Sequence, residues 1–94
     1  MNWPFHDDPS VVVFTSKGVV EDGDWIHFVS HDEEDGAWQF HNIDGAPENE
    51  SDTRIVTLHT MLKIDPGLSA VADLPLGWIA WRDTVNGMWK RRME

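Results

Sequence analysis

Two strand-like runs, Trp25 to His31 (WIHFVSH) and Ala37 to Ile43 (AWQFHNI), are separated by Asp32-Glu33-Glu34-Asp35-Gly36. Aromatic and β-branched residues flank a polar segment ending in Asp-Gly, which predicts an antiparallel hairpin. This feature constrains the fold most, because a hairpin must find a sheet and a covering layer to bury its apolar face. With Asp32 to Gly36 as the loop, His31 faces Ala37 and His27 faces His41. That register places Ile26, Phe28, Trp38 and Phe40 on one apolar face. A shift of one residue would move this set to the other side.

The remaining segments supply the partners. Val11 to Phe14 reads as a short buried strand, Arg54 to Leu58 as another and Gly77 to Arg82 as a central one. Asn86-Gly87 marks a turn, after which Met88 to Arg92 returns as an edge strand or a helical end. Thr57 is placed to cap a helix over His59 to Ile64. Asp65-Pro66 is a helix-start signature, with Leu68, Val71 and Ala72 toward the core. The expectation is an α+β fold: a small antiparallel sheet of four to five strands with one or two short helices packed on one face. It forms a single domain over residues 1–94, with an N-terminal arm over 1–10 and an acidic loop over 42–53. Val12, Phe28, Phe40, Ile55, Leu62, Leu74 and Ile79 are the expected core. Trp78 and Trp81, three apart on a strand, fall on opposite faces. Trp3 and Trp89, near the termini, are expected to be the more exposed indoles.

Charge narrows the function classes. The formal net charge is −10, which disfavours phosphate backbones and anionic lipid as partners. Residues 1–53 hold thirteen acids and one base, Lys17; residues 54–94 hold six bases and four acids. There is no Cys, which removes disulfides, thiolate zinc sites and a cysteine nucleophile. MNWPFHDDPS has neither a basic n-region nor an apolar h-region, so no secretory leader is expected there, and no apolar run reaches membrane-spanning length. A cytoplasmic location is the default.

The acidic hairpin does not match a calcium loop. With Gly36 at the sixth position, His31 stands first and Asn42 twelfth, where carboxylates are required. Zinc is the alternative, with His27 and His41 paired across the hairpin and joined by His31 and Asp32; this would be a small metal-dependent enzyme. Ser16, Ser30 and Ser51 lack the strand-to-helix elbow of a G-x-S-x-G nucleophile. No glycine-rich phosphate loop is present, and no cofactor is expected.

The run His31-Asp32, Asp35-Gly36, Trp38-Gln39-Phe40, followed by Arg54-Ile55-Val56, Asp65-Pro66, Asp73-Leu74-Pro75, Gly77-Trp78 and Arg82, resembles a group of small uncharacterised bacterial proteins. They share an H-D-x-x-D-G-x-W-Q-F hairpin and an L-P-x-G-W segment. Related domains are grouped with immunity proteins of bacterial toxin systems. The resemblance implies a bacterial single-domain protein and supplies no catalytic residue. The leading expectation is a non-catalytic protein-binding module, of immunity or accessory type, contacting a basic protein partner. Its binding residues would be Asp32, Glu33, Glu34, Asp35, Asp44, Glu48, Glu50 and Asp52.

Overall fold

The computed structural model describes residues 3–94. Six strands form one mixed sheet: β1 (Val12–Ser16), β2 (Phe28–His31), β3 (Trp38–His41), β4 (Thr53–Thr57), β5 (Trp78–Trp81) and β6 (Lys90–Met93), in the order β4-β1-β3-β2-β5-β6. The α+β class is as expected, with one strand more than the four to five expected, because the last segment takes its edge-strand alternative and Lys90–Met93 pairs with β5. The sheet also departs from a purely antiparallel one. β1 leaves through helix α1 (Lys17–Glu21), and the β2–β3 hairpin folds back so that β3 enters beside β1, parallel to it.

The caps follow the sequence. Thr57 Oγ1 accepts from Thr60 N at 3.2 Å and starts helix α2 (Leu58–Ile64). Asp65 Oδ1 accepts from Gly67 N at 2.9 Å and, with Pro66 at the first position, starts the 3₁₀ helix Pro66–Val71. Leu68, Val71 and Ala72 are buried, as their spacing indicates.

The hairpin register differs by one residue from the expected one. His31 pairs with Trp38 and Phe28 with His41. Gly36 adopts φ +72°, and Ala37 N donates to Asp35 Oδ1, so Ala37 is spent in the loop. The slip exchanges faces. Val29 now lies opposite Phe40 on the core side, and Phe28 lies opposite His41 on the other. The core gathers Val13, Val29, Trp38, Phe40 and Ala80 from one sheet face against Phe5, Val19, Ile26, Leu58, Met61, Leu68, Val71 and Leu74.

Several core expectations need correction. Phe40, Leu74 and Ile79 are buried, whereas Val12 and Ile55 are 60% and 62% exposed. Both sit on the sheet face opposite the helices, where the run of β-branched residues has no covering layer. Phe28 and Leu62 are half-buried. Trp3 and Trp89 are not free indoles but pack against the core from its rim. Trp78 and Trp81 do take opposite faces, Trp78 against the core and Trp81 under the Arg92 guanidinium at 5.8 Å. Among the described residues, no helix is long and apolar enough to cross a membrane.

Candidate functional site

The acidic residues separate into two groups at opposite ends of β3. A four-residue strand carries its ends roughly 10 Å apart. The hairpin tip precedes β3 and the acidic loop follows it, so the expected binding residues other than Glu50 line two separate concavities.

At the tip, Asp32, Glu33, Glu34 and Asp35 line a shallow concavity of about 350 Å³ with Gly77 and Glu94. At the loop end, a larger concavity of about 560 Å³ is walled by Asp22, Asp24, Asp44, Glu48 and Asp52, with Ser16 and Asn42 among its lining residues. Lys17 is the one base among its lining residues. Glu50 lies on the short 3₁₀ turn Glu50–Asp52 and is exposed outside this lining. Asp22 and Asp24 are site residues that sequence reasoning missed, because they precede the hairpin and only the β1–α1 crossover brings them to the loop.

Local geometry fixes that end. Asp22 N and Asp24 N both donate to Gly18 O, at 3.0 and 3.1 Å. A Cβ on Gly18 would lie 2.2 Å from Asp24 Oδ2, so any larger residue there displaces the Asp24 carboxylate from this arrangement. Asn42 Nδ2 donates to the same Asp24 oxygen at 3.0 Å, and Asn42 Oδ1 accepts from Asp44 N at 3.2 Å. One buried amide thus ties the carboxylate of one segment to the backbone of the other.

A hydrogen-bonded chain crosses the face opposite the helices between the two acidic ends. Gln39 Nε2 donates to Asp32 Oδ2 at 2.7 Å, and Ser30 Oγ donates to Asp32 Oδ1 at 3.1 Å. Gln39 Oε1 lies 2.9 Å from His41 Nε2, and His41 Nδ1 lies 2.8 Å from Ser16 Oγ. An ionised carboxylate only accepts, so the amide turns its carbonyl to His41. Nε2 therefore carries the imidazole proton, and the Ser16 hydroxyl donates to Nδ1. Gln39 and His41 alternate on one strand, a period-two signal that the sequence contained.

This polarity is that of a base and a hydroxyl, and Ser16 stands at a strand-to-helix junction, without the G-x-S-x-G pattern of a nucleophile elbow. Its backbone is extended and unstrained, at φ −82° and ψ 144°. Acyl transfer further needs donors aimed at a developing oxyanion. The concavity that Ser16 lines presents carboxylates instead, which oppose that charge. The chain is better suited to locking β1, β3 and the hairpin tip together.

The alternative metal set is not brought together. The His31 ring stacks on Trp38 at 3.9 Å on the core side, and its Nδ1 donates to Leu74 O at 2.7 Å. His41 and Asp32 engage Ser16 and Gln39 on the other face. His27 packs edge-on to Trp25 at 5.6 Å. Among the described residues, no group of three or more His, Asp or Glu is placed to hold a metal ion.

Burial holds the His41 imidazole below its ordinary pKa, while the Asp32 carboxylate opposes that shift. The neutral form is thus favoured in the fold. Its contribution to stability is complete above the unfolded histidine value of about 6.5 and is lost as pH falls below it, because the unfolded chain binds the proton first. Urea unfolding at pH 7.5 and 5.5 should show a larger loss for the native chain than for His41→Gln. Equal losses would mean that His41 is not held neutral. Comparison with protein-family models, with curated proteins and with solved structures finds no match.

Proposed function

We propose that this chain is a protein-binding module, of immunity or accessory type, that receives a basic surface of another protein. The observation that carries this reading is the concavity of about 560 Å³ lined by Asp22, Asp24, Asp44, Glu48 and Asp52 against the single base Lys17. Asn42 holds the Asp24 carboxylate beside the Asp44 backbone, and the carboxylates of the two segments offer an acceptor surface to lysine and arginine side chains, which only donate. The hairpin tip, with Asp32, Glu33, Glu34 and Asp35, is the secondary contact. A bacterial cytoplasmic setting belongs to the same reading; the absence of cysteine and the hairpin resemblance support it.

Charges at an interface rim act mainly on the association rate. Reversing Asp44, Glu48 and Asp52 to Lys should slow association with the partner recovered from a host lysate severalfold or more. Reversing Glu33 and Glu34 should slow it less. Both effects should shrink as salt rises above physiological strength, where the screening length falls below ~8 Å. Association kinetics at low and high salt give the readout. If the loop-reversed protein retains the same partners at unchanged rates in low salt, the acidic surface serves solubility only and the reading fails.

A further inference from the structure

A second cleft of about 560 Å³ opens between the 3₁₀ helix Pro66–Val71 and the β5–β6 connection. Its chemistry differs from that of the acidic concavity. Asp65, Gly67, Ala70, Arg82, Val85, Met88, Trp89 and Arg91 are among its lining residues. Arg82 is 3% exposed and lines this cleft. Its Nε donates to Ile26 O at 2.8 Å and its Nη2 to Asp65 Oδ2 at 2.5 Å. The guanidinium lies over Trp89 at 4.4 Å and near Trp25 at 5.7 Å. Those hydrogen bonds account for two of its three nitrogens. Nη1 has no acceptor among the described residues, and a Cβ built on Gly67, in the cleft wall, would lie 3.5 Å from it.

The rim is apolar and open. Met88 is 87% exposed and Val85 49%. Arg91 also reaches the cleft, with Nη2 donating to Ala70 O and Asp73 Oδ1, both at 3.0 Å. Arg82 and Arg91 are each matched by one aspartate, Asp65 and Asp73, so the local charge is balanced. Phosphate is strongly hydrated and has no apolar body to set against Met88 and Val85, and Asp65 beside the guanidinium opposes a second negative charge. A monoanion with an apolar body meets the unused N–H groups of Arg82 and the exposed Met88 and Val85 side chains together. The volume lies within the range of small-ligand pockets, roughly 300–1,000 Å³.

We infer that this cleft is a binding site for an apolar monocarboxylate, with Arg82 Nη1 as the donor that reads the carboxylate and Val85, Met88 and Trp89 as the apolar wall. The same chemistry is presented by a small branched organic acid and by the C-terminal leucine of a polypeptide.

The probes are 4-methylpentanoate, its primary amide, N-acetyl-glycyl-leucine and inorganic phosphate. Each is titrated into the full chain at constant ionic strength, with the Arg82 Nε–H and Trp89 indole N–H resonances followed by heteronuclear NMR. Saturable shifts at both groups are expected with the carboxylates, at least tenfold weaker binding with the amide, and no saturation with phosphate. Tighter binding of N-acetyl-glycyl-leucine than of 4-methylpentanoate identifies a polypeptide terminus as the source; the reverse order identifies a free acid. Because Arg82 variants can unfold, the rim variant Met88→Glu serves as the second arm. It should keep the native spectrum and weaken carboxylate binding at least fivefold. Equal affinity for acid and amide, saturable phosphate binding, or unchanged carboxylate binding by Met88→Glu overturns the assignment.

Discussion

Truncation of Phe40 to Ala is expected to cost about 3–5 kcal/mol. Phe40 is fully buried, and it stacks on Trp38 with ring centroids 5.9 Å apart. It pairs with Val29 across the hairpin and with Thr15 across the parallel β1–β3 ladder. Removing the ring leaves a void between three strands that share hydrogen-bond registers, so the site cannot close over it. Ile55→Ala, on the opposite face of edge strand β4, provides the contrast. Its side chain is already largely in water, and the expected loss is about 0.5 kcal/mol. Urea denaturation of both variants checks the face assignment. A loss below about 1 kcal/mol for Phe40→Ala, or a comparable loss for the two, would contradict it.

The second large effect is expected at Asp65. Replacing it with Ala removes the carboxylate partner of Arg82, whose side chain is 4% exposed, and also removes the acceptor for Gly67 N. Breaking a buried pair on one side costs about 3–5 kcal/mol, because the remaining charge is left unpaired. Asp65 itself is 22% exposed, so water can replace part of the lost contact, and a loss of about 3 kcal/mol is expected. Asp65→Asn keeps one acceptor oxygen, enough for Gly67 N or for the Arg82 guanidinium in the native geometry but not for both, and should fall between Ala and the native residue. Thermal and chemical unfolding measure the series. A cost below about 1 kcal/mol for Asp65→Ala would mean that water in the neighbouring cleft, and not Asp65, satisfies the guanidinium.

Much of this molecule follows from short-range rules. The hairpin was legible because a charged Asp-Gly segment separates two aromatic strand runs. The caps at Thr57 and Asp65-Pro66 were legible because one side-chain oxygen answers a backbone N–H two or three residues away. The burial of Leu68 and Val71 followed from their spacing.

The register was not legible. A single left-handed glycine and the Asp35 carboxylate spend one more residue in the turn than alternation indicated, and that residue exchanges Phe28 for Val29 in the core. The parallel β1–β3 pairing was not legible either, since it depends on which strand folds back into the gap beside β1. That crossover decides the acidic concavity: Asp22 and Asp24 join Asp44, Glu48 and Asp52 only through it. It also sets the Asp32-Gln39-His41-Ser16 chain, whose members come from the hairpin and from β1. Most elements, the caps at Thr57 and Asp65 and the acidic character of the first half were written in the chain, because they depend on residues close in sequence. Contacts between residues far apart in sequence settled which carboxylates share a concavity, which histidines part company and which Arg82 nitrogen has no acceptor among the described residues.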